Sequence, residues 1–315
     1  MTRAETGRVI ALSGPRTERN VRKPLHISEM FLKGLPRAAR KEQGKLTEGI
    51  VPGPMIVRQR GLRFDPRRIE AYRRVCEYES EPGRVPLPYP EIHFTPLMAE
   101  AIVSNRFPLS PLGLIHTHQT ITLHEPLHAH DVVDLTAELA SIRETHRGYE
   151  VDFALALDRG ATRVWSGVTT VLSRAEEARS GRRRRTRVES APPRVATQVL
   201  SVSRSTGVAF ARVSGDWNPH HLWWFTAKPL GYQRPIAHGM WTFARAVTVA
   251  LRGIDEDMPI EASISFKRPL LMPGRIQIEA PRLESQGQCV PVAVRDARTA
   301  APHVLGEVCA LASNA

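Results

Sequence analysis

Two stretches of the chain alternate apolar and polar residues in the same way. Ile121-Thr122-Leu123-His124-Glu125-Pro126-Leu127 alternates, breaks at the proline, passes Asp131 and resumes at Val133-Asp134-Leu135-Thr136-Ala137. Ile264-Ser265-Phe266-Lys267-Arg268-Pro269-Leu270 passes Gly274 and resumes at Ile276-Gln277-Ile278-Glu279-Ala280. The two prolines, Pro126 and Pro269, lie 143 residues apart. A period of two marks a half-buried strand, and a proline cannot donate to a ladder, so each stretch predicts strand, bend, strand. Further alternating runs follow at Tyr149–Leu157, Val164–Leu172, Val290–Val294 and Val304–Leu311.

A helical candidate precedes each strand set: Leu97–Ser104, and Met240–Arg252 with Phe243, Ala246, Val247, Ala250 and Leu251 at helical spacing. The pattern predicts a duplicated α+β unit in which a long helix covers the apolar face of an antiparallel sheet. Between the copies, Glu176–Pro193 holds Gly181-Arg182-Arg183-Arg184-Arg185 and Pro192-Pro193, a composition that suits a linker or exposed loop. The expected organisation is a basic N-terminal arm (1–50), mobile or loosely docked, a first unit (51–175), a basic linker (176–195) and a second unit (196–315).

The formal net charge of +12 is unevenly placed. Residues 1–45 carry 11 Lys/Arg against 4 Asp/Glu, and residues 179–187 carry 6 Arg and no acid. The remainder is close to neutral, and no stacking aromatics interleave the arginines, which argues against nucleic acid as a partner. No apolar run reaches the length of a membrane-spanning helix. Met1–Lys23 lacks the apolar core of a secretory signal, and Glu5 and Glu18 count against an organellar presequence. Cys76, Cys289 and Cys309 are odd in number and widely spaced, which predicts neither a disulfide framework nor a zinc site and sets a reducing, cytoplasmic location as the default.

The chemistry gathers in Phe210-Ala211-Arg212-Val213-Ser214-Gly215-Asp216-Trp217-Asn218-Pro219-His220-His221, followed by Ile236-Ala237-His238-Gly239-Met240 at the head of the second helix. A carboxylate and an imidazole near one centre can move protons. A helix N-terminus offers free N–H groups to a carbonyl oxygen that gains negative charge. The first unit has no Asp-x-Asn-Pro-x-His. Tyr72–Glu79 stands where the signature run should be, and His93-Phe94-Thr95-Pro96 roughly where the second unit has His-Gly-Met. Chemistry is expected in the second unit, with the first shaping a substrate groove.

These residues resemble the MaoC-like (R)-specific enoyl-CoA hydratase / 3-hydroxyacyl-thioester dehydratase family, whose signature is met by Phe210, Val213, Ser214-Gly215-Asp216-Trp217-Asn218-Pro219-His220-His221 and Ala227. His220 departs from it, standing where the family has an aliphatic residue. The resemblance covers 196–315, with 51–175 as a degenerate copy, and implies a double hotdog. It implies reversible hydration of a trans-2-enoyl thioester to the (R)-3-hydroxyacyl thioester. In that reading Asp216 and His221 form a catalytic dyad around one water, the Gly239 N–H polarises the thioester carbonyl, and Ser214, Asn218 and His238 support the loop or the substrate.

The same reading implies no metal or redox cofactor, coenzyme A or phosphopantetheine entering only as part of the substrate. An acyl-carrier protein and a homodimer of double hotdogs are the further partners to consider. Rival readings are a hotdog thioesterase and a non-catalytic subunit supporting an active partner. His116, His118, His124, His128 and His130 are expected on a solvated face or in loops rather than as metal ligands. Trp217, Trp223, Trp224 and Trp241 are expected in the core or pocket wall.

Overall fold

The computed structural model describes residues 7–24, 29, 36, 41–175, 198–254 and 256–312. The Arg182–Arg187 run and the expected linker lie outside the described residues. The first half carries β1 (Arg8–Ile10), β2 (Thr17–Asn20), β3 (Met55–Arg63), helix α1 (Pro66–Cys76), helix α2 (Glu91–Ile102), β4 (Leu114–Leu123), β5 (Val132–Thr145), β6 (Gly148–Arg159) and β7 (Thr162–Arg174). The second half carries β8 (Gln198–Val202), α3 (Ser205–Ser214), α4 (Gly239–Ala250), β9 (Ile260–Phe266), β10 (Gly274–Glu279), β11 (Cys289–Asp296) and β12 (Pro302–Ala310).

Among the described residues all strands join one sheet of 12, ordered β2-β3-β5-β6-β7-β4-β9-β12-β11-β10-β8, with β1 pairing β5. The halves repeat one topology: β3-β5-β6-β7-β4 in the first and β8-β10-β11-β12-β9 in the second, joined antiparallel at β4–β9. The spacing of the two prolines carries Thr120 onto position 263, and Thr120 does pair with Ser263, hydroxyl to hydroxyl at 3.1 Å. The internal two-fold axis therefore passes through the seam. This is a double hotdog.

Each sheet half needs a cover for its apolar face. In α4 every residue from Met240 to Ala250 is buried, because the sheet lies on one side and α1 of the first half on the other. Burying a Phe243 or Val247 side chain is worth about 1.5–3 kcal/mol. The burial includes a charged residue: Arg245 is 1% exposed. It is tolerated because its guanidinium donates to the Cys76 carbonyl (2.7 Å) and to Gln198 (3.1 Å) and pairs with Glu77 (2.8 Å). Trp241 likewise donates to the Val75 carbonyl at 3.0 Å. Both bonds satisfy carbonyls at the C-terminus of α1, which a helix cannot satisfy by itself.

The structure departs from the sequence reading at the N-terminal segment, the cysteines, two histidines and three tryptophans. Residues 8–20 are not a loose arm: β1 pairs antiparallel with β5 and β2 parallel with β3. Cys289 and Cys309, 20 residues apart, face each other across the β11–β12 ladder and form a disulfide, contrary to the expectation of none. A hairpin places distant positions opposite one another, and linear spacing does not show it; the cysteine argument for a reducing compartment loses its basis. His116 and His118 are half-buried at the β4–β9 seam rather than on a solvated face, His118 contacting the Ser263, Ser265 and Thr120 hydroxyls at 3.2–3.3 Å. Trp241 is in the core, but Trp217, Trp223 and Trp224 are exposed, because their segment lies outside the sheet. No helix among the described residues is long and apolar enough to cross a membrane.

Candidate active site

The site grows from the end of α3. Gly215 takes φ 81°, the left-handed conformation that lets the chain leave the helix sharply. Ser214 bridges the turn: its hydroxyl donates to the Phe210 carbonyl (2.8 Å) and accepts from the Asp216 N–H (3.1 Å). Its polar capacity is thus directed at the loop. The Asn218 N–H donates to Asp216 Oδ1 at 3.1 Å, an Asx turn that aims the carboxylate, and the Asn218 carbonyl accepts from the His221 N–H at 3.0 Å. Asn218 therefore links Asp216 to His221 through its backbone. Pro219 opens the short 3₁₀ turn that carries His221.

Asp216 Oδ2 stands 3.8 Å from His221 Nε2 and 3.8 Å from His238 Nε2, and the two imidazoles stack with centroids 3.7 Å apart. The carboxylate is a quarter exposed; both histidines are buried. His221 Nδ1 lies 2.8 Å from the Ile236 carbonyl. A carbonyl only accepts, so Nδ1 carries the hydrogen and the neutral ring presents its lone pair at Nε2, towards Asp216. His238 has the opposite tautomer: Nε2–H donates to the Asp216 carbonyl at 2.9 Å, and buried Nδ1 has no hydrogen-bond partner. Burial lowers both pKa values. For His221 the shift is well below the ordinary value, with the charges of His238 and His220 adding to it and Asp216 opposing; His238 falls to about 3.

Gly239 is the first residue of α4, after His238, and no side chain caps that helix. A Cβ at Gly239 would meet the Phe266 ring at 2.9 Å, so any larger residue here would have to displace that ring. The N-terminus of a helix whose N–H groups no side chain caps favours negative charge.

Three groups from the first half reach this region, and none was legible in sequence. Arg68 on α1 donates to the Val213 carbonyl (2.7 Å) and the Ser214 carbonyl (3.0 Å), holding the end of α3 from which the loop departs. Burial raises Glu91 to about 7, eased by a bond from Thr95 and increased by the Asp216 charge. Burial lowers His116 to about 4, and its ring lies 4.6 Å from that of Phe266. A cavity of about 360 Å³ sits between the halves, lined by Leu62, Arg68, Ile92, His93 and Pro96 on one side and Ser214–Gly215 on the other.

Asp216, His221 and His238 bring their ligating atoms within 4.8 Å of one another, as do His128, His130 and Asp131 in the β4–β5 turn. A metal bound through His238 Nε2 would have to replace the His238 bond to the Asp216 carbonyl. In the second, Arg159 already occupies Asp131 at 3.1 Å. His220, the departure from the signature, is half-buried with its ring 5.7 Å from Tyr232.

A model of the MaoC like domain matches residues 186–300. Over 216 residues the chain is 31% identical to 3-hydroxyacyl-thioester dehydratase X of Mycobacterium tuberculosis, spanning 67% of this chain and 75% of that protein. It is 29% identical over 157 residues to 3-hydroxyacyl-thioester dehydratase Y of the same organism, spanning 46% of this chain and 53% of that protein. The crystal structure of HtdX of M. tuberculosis matches with a TM-score of 0.67 at 27% identity, covering 81% of this chain and all (100%) of that one. A MaoC-like dehydratase from Phytophthora capsici shares the fold, with a TM-score of 0.63 at 18% identity over 84% of this chain and 96% of that one. On the strength of the first relative and the shared fold, the chain belongs to the MaoC-like dehydratase family.

Proposed function

We propose that the protein is a hydro-lyase that interconverts trans-2-enoyl thioesters and (R)-3-hydroxyacyl thioesters, with the acyl part against the first half. The observation that carries the reading is the pairing of Asp216 with a His221 whose Nε2 lone pair is turned towards it. Asp216 and His221 Nε2 are both acceptors, set to hold one water between them. In the hydration direction, His221 Nε2 takes a proton from this water as its oxygen bonds to C3. The alkene electrons move to the thioester oxygen, where the Gly239 N–H donates to the developing enolate. The enolate re-forms the carbonyl as C2 takes the proton back from the imidazolium. The sum is H at C2 and OH at C3; dehydration runs the same steps in reverse. Burial makes the His221 imidazolium a stronger acid than usual, which suits delivery to carbon. His238 positions Asp216 through its backbone carbonyl and is not a proton carrier in this scheme.

The test is loss of the enoyl-thioester absorbance with purified protein and trans-2-enoyl-CoA of short, medium and long chain, with Asp216→Asn as control. Turnover by wild type alone, giving the (R)-3-hydroxy product, is expected. Hydrolysis to free thiol would instead favour a thioesterase. Absence of turnover with both coenzyme A and acyl-carrier-protein thioesters would favour the non-catalytic subunit.

A further inference from the structure

We propose that the segment from Trp217 to Arg234, which follows Asp216 and contains His221, is a docking surface for an anionic lipid bilayer. It exposes Trp217 (41%), Trp223 (47%), Trp224 (63%), Phe225 (56%) and Leu230 (51%). Every exposed large aromatic side chain among the described residues lies here; the other exposed large apolar residues are scattered valines and Ile115. Scattered apolar residues need no explanation, whereas adjoining ones, as Trp223, Trp224 and Phe225 are, mark a contact surface. The rings also brace one another: Trp223 and Phe225 stack at 5.8 Å and Trp224 meets Phe225 edge-on at 6.0 Å. The Thr226 hydroxyl anchors the turn to the Pro219 carbonyl at 2.6 Å, so the rings are displayed from a fixed base next to His221.

Charge chooses the occupant. No Asp or Glu occurs between Asp216 and Asp255, while exposed Lys228 and Arg234 lie within the segment. Tryptophan prefers the headgroup level of a bilayer, where its ring is buried and its N–H stays wet, and neighbouring cations are drawn to anionic headgroups. A second copy of this chain is a poorer occupant. A two-fold contact sets the same patch against itself and would oppose Lys228 to Lys228 with no carboxylate in the segment to relieve it. An acidic carrier protein would be met by cations first, and here five large apolar side chains outnumber two cations.

The proposal is independent of the hydration reading and is tested without it. Full-length protein is mixed with phosphatidylcholine vesicles, with and without phosphatidylglycerol, and followed by co-sedimentation and by tryptophan emission with brominated-lipid quenching. Trp165 and Trp241 are in the core and add a constant background that the lipid does not quench. Binding to the phosphatidylglycerol vesicles, weakened by salt, with blue-shifted and quenched emission, is expected. Trp224→Ala should weaken binding at least about tenfold, and Lys228→Gln about fivefold. The proposal is overturned if wild type fails to sediment with phosphatidylglycerol vesicles at low salt. It is equally overturned if the emission does not shift on binding. It also falls if Trp224→Ala abolishes self-association or carrier-protein binding while vesicle binding is absent or unchanged.

Discussion

The two halves share a topology down to the order of their strands, yet they differ at the start of the covering helix. Both α2 and α4 are 12 residues long and lie at the same place in the repeat. At the first position of α4 stands Gly239, preceded by His238; at the first position of α2 stands Glu91, preceded by Pro90. The sequence reading had set His93-Phe94 in that place; the structure puts Pro90-Glu91 there. One helix N-terminus therefore offers open amides to incoming negative charge. The other carries its own buried carboxyl, which would repel an enolate if ionised and obstruct it if neutral. The loop after α3 carries Asp216 and His221, whereas α1 ends at Glu77 in a left-handed turn with no such pair. Duplication kept the scaffold in both halves and the donor-acceptor geometry in one. The first half now serves the second: Arg68 holds the loop, and the α1 carbonyls receive Trp241 and Arg245.

This contrast can be broken most directly by exchange of the central groups. His221→Ala should lower kcat/KM for enoyl-thioester hydration by about 10²–10⁴. Glu91→Gln in the first half should change it by no more than about threefold. A comparable loss in both would show that chemistry is shared between the halves.

The next effect concerns the donor. Gly239→Pro deletes the amide hydrogen and adds a ring, at a helix position that accepts proline, and His238 already has the extended backbone (φ −61°, ψ 136°) that a following proline requires. Made in a Phe266→Leu background to clear space, it should reduce kcat by about 10²–10³ relative to that background, with thermal stability nearly unchanged. Retention of kcat would remove Gly239 from the mechanism.

The pH profile sharpens the role of His221. The base must be neutral, and burial holds its pKa well below the usual range. Hydration should therefore stay level as pH falls past about 6.5, the ordinary histidine value, and decline only further into acid. A limb centred on the ordinary value would mean that a more exposed group is the base.

The smallest effect belongs to the first half. Glu91 is raised to about 7 from 4.5, so the folded state binds more protons than the unfolded chain between these values. Its contribution to stability is full below about 4.5 and is lost as pH rises through about 7. Glu91→Gln should remove this loss and flatten the wild-type decline, a difference of about 3 kcal/mol at pH above 7. Denaturant melts of both proteins across that window measure it; parallel curves would show that Glu91 is ionised in the fold.

Much of the architecture was legible as pattern. Alternation and the Pro126/Pro269 spacing announced the duplication, and the seam pairing of Thr120 with Ser263 follows that spacing. Met240–Arg252 was close to the helix found, Gly239–Ala250. Leu97–Ser104 was less accurate, since α2 begins at Glu91 and runs through Pro96, a residue that the local reading takes as a boundary. Asp216, His221, His238 and Gly239 could be named because they are close in sequence and their spacing is specific. Arg68 could not, since the carbonyls it holds are 145 and 146 residues away.

What the sequence determined by itself is therefore local: strand period, helix face, turn residues, and a carboxylate and an imidazole on one short loop. These depend on neighbours a few bonds away. Tertiary structure decided which histidine nitrogen bears the proton, because only the approach of the Ile236 carbonyl selects it. It joined Cys289 to Cys309 through a hairpin register. It sank Arg245 between two halves and left Trp223 and Trp224 in solvent, although local hydrophobicity ranks them the other way. Burial is a property of what packs against a residue from elsewhere in the chain, and no window of sequence contains it.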